Sequence, residues 1–317
     1  MICALNFSML LLLSSFSAFF PDVSFLIYKE NSRFAINTGN YWICKCFFIT
    51  ISSQDSGGAI SVSNSQENCF LIENCAFSGC NCVQNGGGIY FLCTNGAIVL
   101  KCTTAVACQT GGSHGQFSYL KAASNRIMEG HFVGISFCSP KQANQYAANM
   151  FISSMQRWNS LNSSYNHLRD GCGVRFDAPT SSYSSFLTIS CNIANYICVD
   201  FCDGSSEMSN SNIVNNSNTA SSYGVVINYG QSSALLKLCI LVGNLQIGGG
   251  SLVYLMSGSL VLENCWIQSG GNNAITKNCY GETSTYIINH YRQCIDLTRI
   301  TARTINHFMF LIGLMLK

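Results

Sequence analysis

The chain has 317 residues, of which 9% are charged, and its formal net charge is +2. An ordinary soluble domain has about 25% charged residues, so this sequence offers no basic surface for nucleic acid. Hydrophobic residues make up 48% of the chain and only 3 residues are proline, which excludes a disordered chain and a proline-rich linker. What remains is a polar but uncharged protein, rich in Asn, Ser, Gly and Cys, with a strong tendency to form strands.

An apolar run occupies residues 9–20 and ends at Pro21. Its length suits the core of a secretory signal peptide and is too short to span a membrane. We therefore predict a signal peptide over residues 1–20, cleaved near Ser17 or Ala18, and a secreted or cell-surface location. The alternative is a first strand or capping helix of the fold, because no Lys or Arg precedes the run.

The chain contains 19 cysteines. Cys3 lies in the predicted signal peptide, and the even number left behind it is typical of oxidised pairs in a secreted protein. Close pairs such as Cys44 with Cys46 lack the spacing of zinc ligands, so we expect neither a metal nor a cofactor. The alternative is that many of these cysteines are free thiols, buried as small apolar side chains.

Internal repeats dominate the chain from residue 43 onward. Residues 72–77 (Ile-Glu-Asn-Cys-Ala-Phe) match residues 262–267 (Leu-Glu-Asn-Cys-Trp-Ile), and looser copies recur about every 28 residues. A second repeat motif, with Gly-Gly-apolar segments at residues 57–60 and 86–89, recurs with the same period as the first. The positions predicted to be equivalent are Cys46, Cys75, Cys102, His131, Ser163, Cys191, Ser211, Cys239 and Cys265.

Each repeat alternates apolar and polar residues, as in Ala59–Val62, and this is the period of a strand. One such unit cannot bury its apolar face alone, whereas stacked units pair every backbone group with the coils above and below. We therefore predict an all-β fold, a single parallel β-helix of about nine or ten coils over residues 21–305, with a cap at each end. A β-sandwich does not predict a two-frame period of this length.

Equivalent side chains in such a stack form ladders about 4.8 Å apart. This spacing lies within the Cα separation of a disulfide, so vertical pairing of Cys46 with Cys75, or of Cys239 with Cys265, remains open. Ser163 and Ser211 at ladder positions favour free thiols, because a position that does not pair tolerates Ser.

The two repeat motifs resemble those of polymorphic outer-membrane proteins, which combine Gly-Gly-Ala-(Ile/Leu/Val) with Phe-x-x-Asn; related repeats occur in Cys-rich surface proteins of protist parasites. This chain has Leu71 or Val261 in place of the Phe, and residues 120–220 match poorly. The resemblance implies a right-handed β-helix of pectin-lyase-like shape, displayed at the cell surface and linked to adhesion. The segments that match well are 57–60, 71–74, 86–89 and 261–264.

Carboxylates are scarce, and a single cluster could serve catalysis: Asp170, Arg175, Asp177, Asp200 and Asp203. If Val174 stacks on Val199, Arg175 lies beside Asp200 on the next coil and both point outward. A polysaccharide lyase or hydrolase needs such carboxylates as acid and base or as a cation site. The competing interpretation is a solvated surface ion pair, and the motifs typical of polygalacturonases are absent.

Two further features bear on location. Glycosylation sequons begin at Asn162 and Asn215. The apolar run Phe308–Leu316 is too short to span a membrane, and we predict that residues 306–317 form a cap or a truncated anchor. The termini are therefore the candidate points of membrane association.

These observations predict a non-enzymatic β-helix scaffold, secreted or at the cell surface, for adhesion or ligand interaction. Its partner is expected to be a host, matrix or glycan ligand, bound through Asn, Ser, Tyr and Thr rather than through charge, and no nucleic-acid partner is expected. One alternative is a polysaccharide lyase or hydrolase of pectin-lyase-like fold. Another is an incomplete member of a surface family, without an independent function.

Overall fold

The computed structural model describes residues 15–36, 38–112, 114–138, 147–168, 172–219, 223–230, 232–268 and 274–280. Residues 15–19 are helical, and the rest of the described chain consists of short strands and turns. The strand pairs of the described residues are all parallel. The fold is a parallel β-solenoid of about eight turns. The predicted fold class is confirmed, with slightly fewer coils than predicted.

Each turn of the solenoid crosses four strand positions, which we number as sheets 1 to 4. Sheet 1 contains strands Phe34–Ala35, Ile60–Asn64, Ile89–Cys93, Ser118–Lys121, Ala147–Ile152, Cys172–Asp177, Val199–Cys202, Gly224–Tyr229 and Ser251–Leu255. Sheet 2 contains Leu26–Tyr28, Tyr41–Cys44, Cys69–Glu73, the first halves of Ala97–Val106, Ile127–Ser136 and Met155–Ser164, then Ser181–Ser185, Ser205–Ser209, Ser233–Lys237, Ser259–Glu263 and Ile275–Lys277.

Sheets 2 and 3 are joined by a single corner residue in each coil. Sheet 3 contains Phe47–Ile49, Ala76–Ser78, the second halves of the three long strands, Thr188–Ser190, Asn212–Val214, Ile240–Val242 and Trp266–Ile267. The strands at the sheet 4 position are short and form two separate sheets. One contains Ser52–Ser53, Asn81–Cys82 and Gln109–Thr110, and the other contains His167–Leu168, Ile193–Ala194, Ser217–Asn218 and Leu245–Gln246.

The corners explain why Asn precedes Cys in the best repeats. Asn74 and Asn264 have φ values of 53° and 52° at the corner between sheets 2 and 3, and Asn adopts this left-handed conformation more readily than other side chains. The following Cys75 and Cys265 then point inward and are buried. A second left-handed corner follows sheet 3 in each coil, as at Gly79.

The Gly-Gly motif is explained by the start of sheet 1. Gly57 and Gly86 have φ values of 73° and 70°, which glycine adopts without steric cost. A Cβ on Gly58 would collide with the carbonyl oxygen of Gly87 on the next coil. The first glycine is therefore required by its conformation and the second by the close approach of two coils.

The interior is filled by stacked apolar side chains from sheets 1, 2 and 3. Phe176 lies face to face with Phe201, with ring centroids 5.5 Å apart, and Phe151 stacks on Trp158 at 3.8 Å. All four rings are buried. In-register parallel strands place equivalent residues above one another, so the apolar side chains of successive coils form a continuous core.

The N-terminal segment packs on the outside of the solenoid. Within the predicted signal peptide, residues 15–20 lie against the outer surface of sheet 2, where Phe16 is fully buried beside Trp42 and Leu71. This arrangement matches the alternative that the apolar run forms part of the fold. Residues 1–14 and the predicted C-terminal tail, residues 306–317, lie outside the described residues.

Candidate functional site

The predicted cysteine ladder is an inward-facing stack at the corner between sheets 2 and 3. The structure places Cys46, Cys75, Ser211, Cys239 and Cys265 in this stack, together with residues that the sequence did not indicate. The complete stack is Cys46, Cys75, Thr103, Val133, Leu161, Leu187, Ser211, Cys239, Cys265 and Cys279.

Four predicted ladder positions are wrong. Cys102 is exposed on the corner itself, with φ of 49°, one residue before Thr103. Cys191 occupies the second corner, with φ of 55°. His131 pairs with Lys101 on the outer surface of sheet 2, and Ser163 pairs with Ile189 in sheet 3. A shift of one residue is enough to move a side chain from core to surface.

The buried thiols of the stack act as hydrogen-bond donors rather than as disulfides. The cysteines of the stack, Cys46, Cys75, Cys239, Cys265 and Cys279, are all free. Cys265 Sγ donates to the carbonyl oxygens of Leu236 on the preceding coil and of Glu263, at 3.2 and 3.4 Å. In its own coil, Thr103 Oγ1 donates in the same way to the carbonyl oxygens of Ile72, on the preceding coil, and of Lys101. Burial raises the pKa of Cys239 well above its ordinary value, which keeps a thiol protonated and able to donate.

A second buried ladder, of asparagines, was not predicted. Asn166, Asn192, Asn216 and Asn244 stack directly above one another behind the second corner, following Cys80, Cys108 and Cys138 of the earlier coils. Asn216 Oδ1 accepts from the backbone amide of Asn192 at 3.0 Å, and its Nδ2 donates to Ile189 O at 2.8 Å. These bonds fix the register of the C-terminal coils.

The charged cluster lies on the outer surface of sheet 1, where Val174 stacks on Val199 as predicted. Arg175 Nη1 is 3.5 Å from Asp200 Oδ2, and Arg175 Nη2 is 3.6 Å from Asp177 Oδ2. The side chain of Asp200 is only 6% exposed, whereas those of Arg175 and Asp177 are about one-fifth exposed. The structure therefore brings together three of the predicted residues, as a partly buried ion-pair network rather than an open pair of carboxylates.

Burial sets the electrostatics of this cluster. Burial raises the pKa of Asp200 to about 6, although the adjacent Arg175 guanidinium favours the charged form. Asp200 Oδ1 has no hydrogen-bond partner among the described residues. Asp203 lies on the following exposed turn, with φ of 41°, and Asp170 lies outside the described residues.

A shallow groove lies on the outer surface of sheet 2 at the C-terminal coils. Its volume is about 350 Å³, which falls within the usual range for ligand pockets. Three aligned rows form its floor across the C-terminal coils. Ser181, Ser205, Ser233 and Ser259 form a hydroxyl row, Tyr183, Glu207, Leu235 and Val261 a row that is apolar at its C-terminal end, and Glu263 and Lys277 a charged row.

The sequence did not point to this groove, although its signal was present. The serines at positions 181, 205, 233 and 259 each begin a strand of sheet 2. Their equivalence depends on the register across coils of different length, which the repeat alignment did not resolve in this region. We call this surface the sheet-2 groove.

The two sequon asparagines differ in accessibility. Asn215 is exposed at the second corner, whereas Asn162 is partly covered in sheet 3 and its side-chain oxygen is buried. A glycan is bulky and needs a surface position. Of the two, the Asn215 position is the one that suits modification.

Comparisons with known proteins do not assign the chain to a family. No protein-family model, no curated protein and no solved structure matches the sequence or its fold. Among the described residues, no group of three or more His, Cys, Asp or Glu side chains could hold a metal ion. The described chain also has no helix with the length and apolar character needed to cross a membrane.

Proposed function

We propose that this protein is a non-enzymatic β-helix scaffold, secreted or displayed at the cell surface, that binds an extended ligand in the sheet-2 groove and thereby serves adhesion. The groove carries the proposal. Its floor offers hydroxyl groups, apolar side chains and charged groups in three parallel rows. Apolar area with a few placed polar groups is the usual composition of a binding site.

The geometry of the floor favours a ligand that lies along the solenoid axis. Successive coils place the residues of each row about 4.8 Å apart, so a chain-like ligand meets a further serine hydroxyl at each step. Ser205, Ser233 and Ser259 are exposed, and the Tyr183 ring is 57% exposed. These side chains are therefore available to a ligand without a rearrangement of the sheet.

The location outside the cell rests on the exposed sequon at Asn215, since residues 15–20 of the apolar start pack on the fold. Antibody staining of intact cells, with permeabilised cells as the control, tests it. Signal on intact cells supports display at the surface. Signal only after permeabilisation would overturn the proposed location.

Binding is tested with the purified full chain on an array that carries neutral oligosaccharides, acidic oligosaccharides and peptides. Leu235→Lys places a charge on the groove floor, and Leu245→Lys places the same charge on sheet 4, where Leu245 is 61% exposed. We expect binding by the wild type and by Leu245→Lys, with a loss of about tenfold or more in affinity for Leu235→Lys. If the wild type binds no ligand on the array, or if the wild type and both variants bind equally well, the proposal is overturned.

A polysaccharide lyase or hydrolase is the second candidate, and one observation favours it. Asp200 combines an oxygen that lacks a partner with a pKa raised by burial to about 6, which suits a general acid. Depolymerisation of neutral and acidic polysaccharides by the wild type, abolished by Asp200→Asn, would establish this activity. Inactivity of the wild type on all substrates would remove it.

A further inference from the structure

We infer that the partner of the sheet-2 groove is a peptide segment with an aromatic side chain beside a hydroxyl-bearing residue. The inference rests on the proposed function and narrows its ligand class. The observation behind it is that the outer surface of sheet 2 already binds such a segment of the chain itself at the N-terminal coils. That segment comprises residues 15–20, and we call the surface beneath it the N-terminal seat.

The N-terminal seat and the groove share one apolar row. Leu71 pairs with Val99, and Leu235 pairs with Val261. The strands between them are in register, so all four residues belong to one continuous row of outward-facing residues. The row reads Trp42, Leu71, Val99, Glu129, Arg157, Tyr183, Glu207, Leu235, Val261 and Ile275.

The two surfaces also share a charged pair two residues further along each strand. Glu73 pairs with Lys101 in the seat, and Glu263 pairs with Lys277 in the groove. Lys101 Nζ is 2.7 Å from Glu73 Oε1. Each surface therefore combines an apolar strip with one carboxylate and one ammonium group on the adjoining row.

The segment in the seat shows which ligand chemistry this arrangement accepts. Phe16 is fully buried over the apolar strip. Ser15 Oγ donates to Glu73 Oε1 at 2.8 Å and accepts from Lys101 Nζ at 3.0 Å. One aromatic ring thus fills the strip, while the hydroxyl of the preceding residue bridges the charged pair.

Two differences define the groove as a separate site. Glu129 and Arg157, with Oε1 and Nη1 3.3 Å apart, interrupt the apolar strip between the two surfaces. The row occupied by Cys69 and Ala97 in the seat is serine in the groove. An incoming peptide would therefore gain hydroxyl partners for its polar backbone groups, which a buried segment needs to satisfy.

The test uses a fluorescent peptide of residues 15–25 and the full chain, with binding followed by fluorescence anisotropy. A control peptide carries Phe16→Ser and Phe20→Ser. We expect saturable binding of the first peptide, weakened about tenfold or more by Leu235→Lys and retained by Leu245→Lys. The control peptide is expected to bind at least about tenfold more weakly, since it lacks the aromatic anchors.

The outcomes separate this inference from the proposed function. Binding of oligosaccharides but not of the peptide, with loss in Leu235→Lys, would overturn the peptide inference and leave the scaffold proposal standing. Peptide binding that appears only after deletion of residues 308–316 would identify a segment of the chain itself as the occupant and overturn an external partner. A dimer in sedimentation that Leu235→Lys dissociates would likewise overturn it in favour of a second copy.

Discussion

Arg175 lies beside Asp200 on the adjacent coil, with Nη1 3.5 Å from the carboxylate Oδ2. The carboxylate is nearly inaccessible, and its partner arginine is shared with Asp177. The pair is thus neither a solvated surface ion pair nor an open catalytic dyad. Its clearest measurable consequence is a dependence of stability on pH.

Asp200 should make the folded chain less stable as the pH rises. Burial raises the pKa of this carboxyl from 3.8 to about 6, so the folded chain holds the proton more tightly than the unfolded chain. This contribution to the free energy of unfolding is fully present below about pH 4 and is lost as the pH rises through about 6. It is on the order of 2 kcal/mol.

Urea denaturation near pH 4 and near pH 7.5 measures the effect. Asp200→Asn should remove about 2 kcal/mol from the difference in stability between the two conditions. Asp55→Asn, on an exposed turn, should leave the wild-type difference unchanged. If the stability of Asp200→Asn depends on pH as that of the wild type does, Asp200 is not the source of the pH dependence.

The asparagine ladder should be the most sensitive polar feature of the C-terminal coils. Asn216→Ala removes the acceptor for the Asn192 amide and the donor to Ile189 O. These groups remain buried without partners, and we expect a loss of roughly 2–4 kcal/mol in the free energy of unfolding.

Asn159→Ala is the matched control, because Asn159 is exposed on the outer surface of sheet 2. It should change stability by no more than about 0.5 kcal/mol. Equal unfolding midpoints for the two variants would show that the ladder does not stabilise the fold.

Thiol accessibility should follow position in the solenoid. Cys102 is exposed, whereas Cys75 and Cys239 are buried as hydrogen-bond donors. Brief alkylation of the native chain, followed by peptide mass mapping, should modify Cys102 and spare the other two until the chain unfolds. A Cys239–Cys265 disulfide in the non-reduced digest would contradict the free-thiol stack.

The N-terminal segment should stabilise the fold through Phe16. Phe16→Ala opens a cavity above Trp42 and Leu71, and we expect a loss of roughly 3 kcal/mol with increased binding of a hydrophobic dye. Phe132→Ala is the control, since Phe132 is 65% exposed on a corner. Equal stability of Phe16→Ala and the wild type would mean that residues 15–20 do not hold this position in solution.

The residue pattern alone determined the architecture of this protein. Alternating apolar residues, a period near one coil and paired glycines leave parallel stacking as the arrangement that buries every repeat. The adjacency of Arg175 and Asp200 also followed, because in-register stacking places residues one coil apart in the sequence side by side on neighbouring strands. The same logic failed at Cys102, which lies on the corner one residue before the inward position, and at Cys191, which lies on the second corner of its coil.

Only the tertiary structure decided what occupies each face. Side-chain hydrogen bonds between coils join residues at unequal separations, for example 24 for Asn192 with Asn216 and 31 for Ser118 with Asn149. The register of the C-terminal coils therefore depends on buried contacts such as the asparagine ladder. The serine row and the apolar floor of the sheet-2 groove appear once that register is set. The docking of Phe16 is likewise invisible in the sequence, because an apolar run of this length suits both a signal peptide and a packed segment.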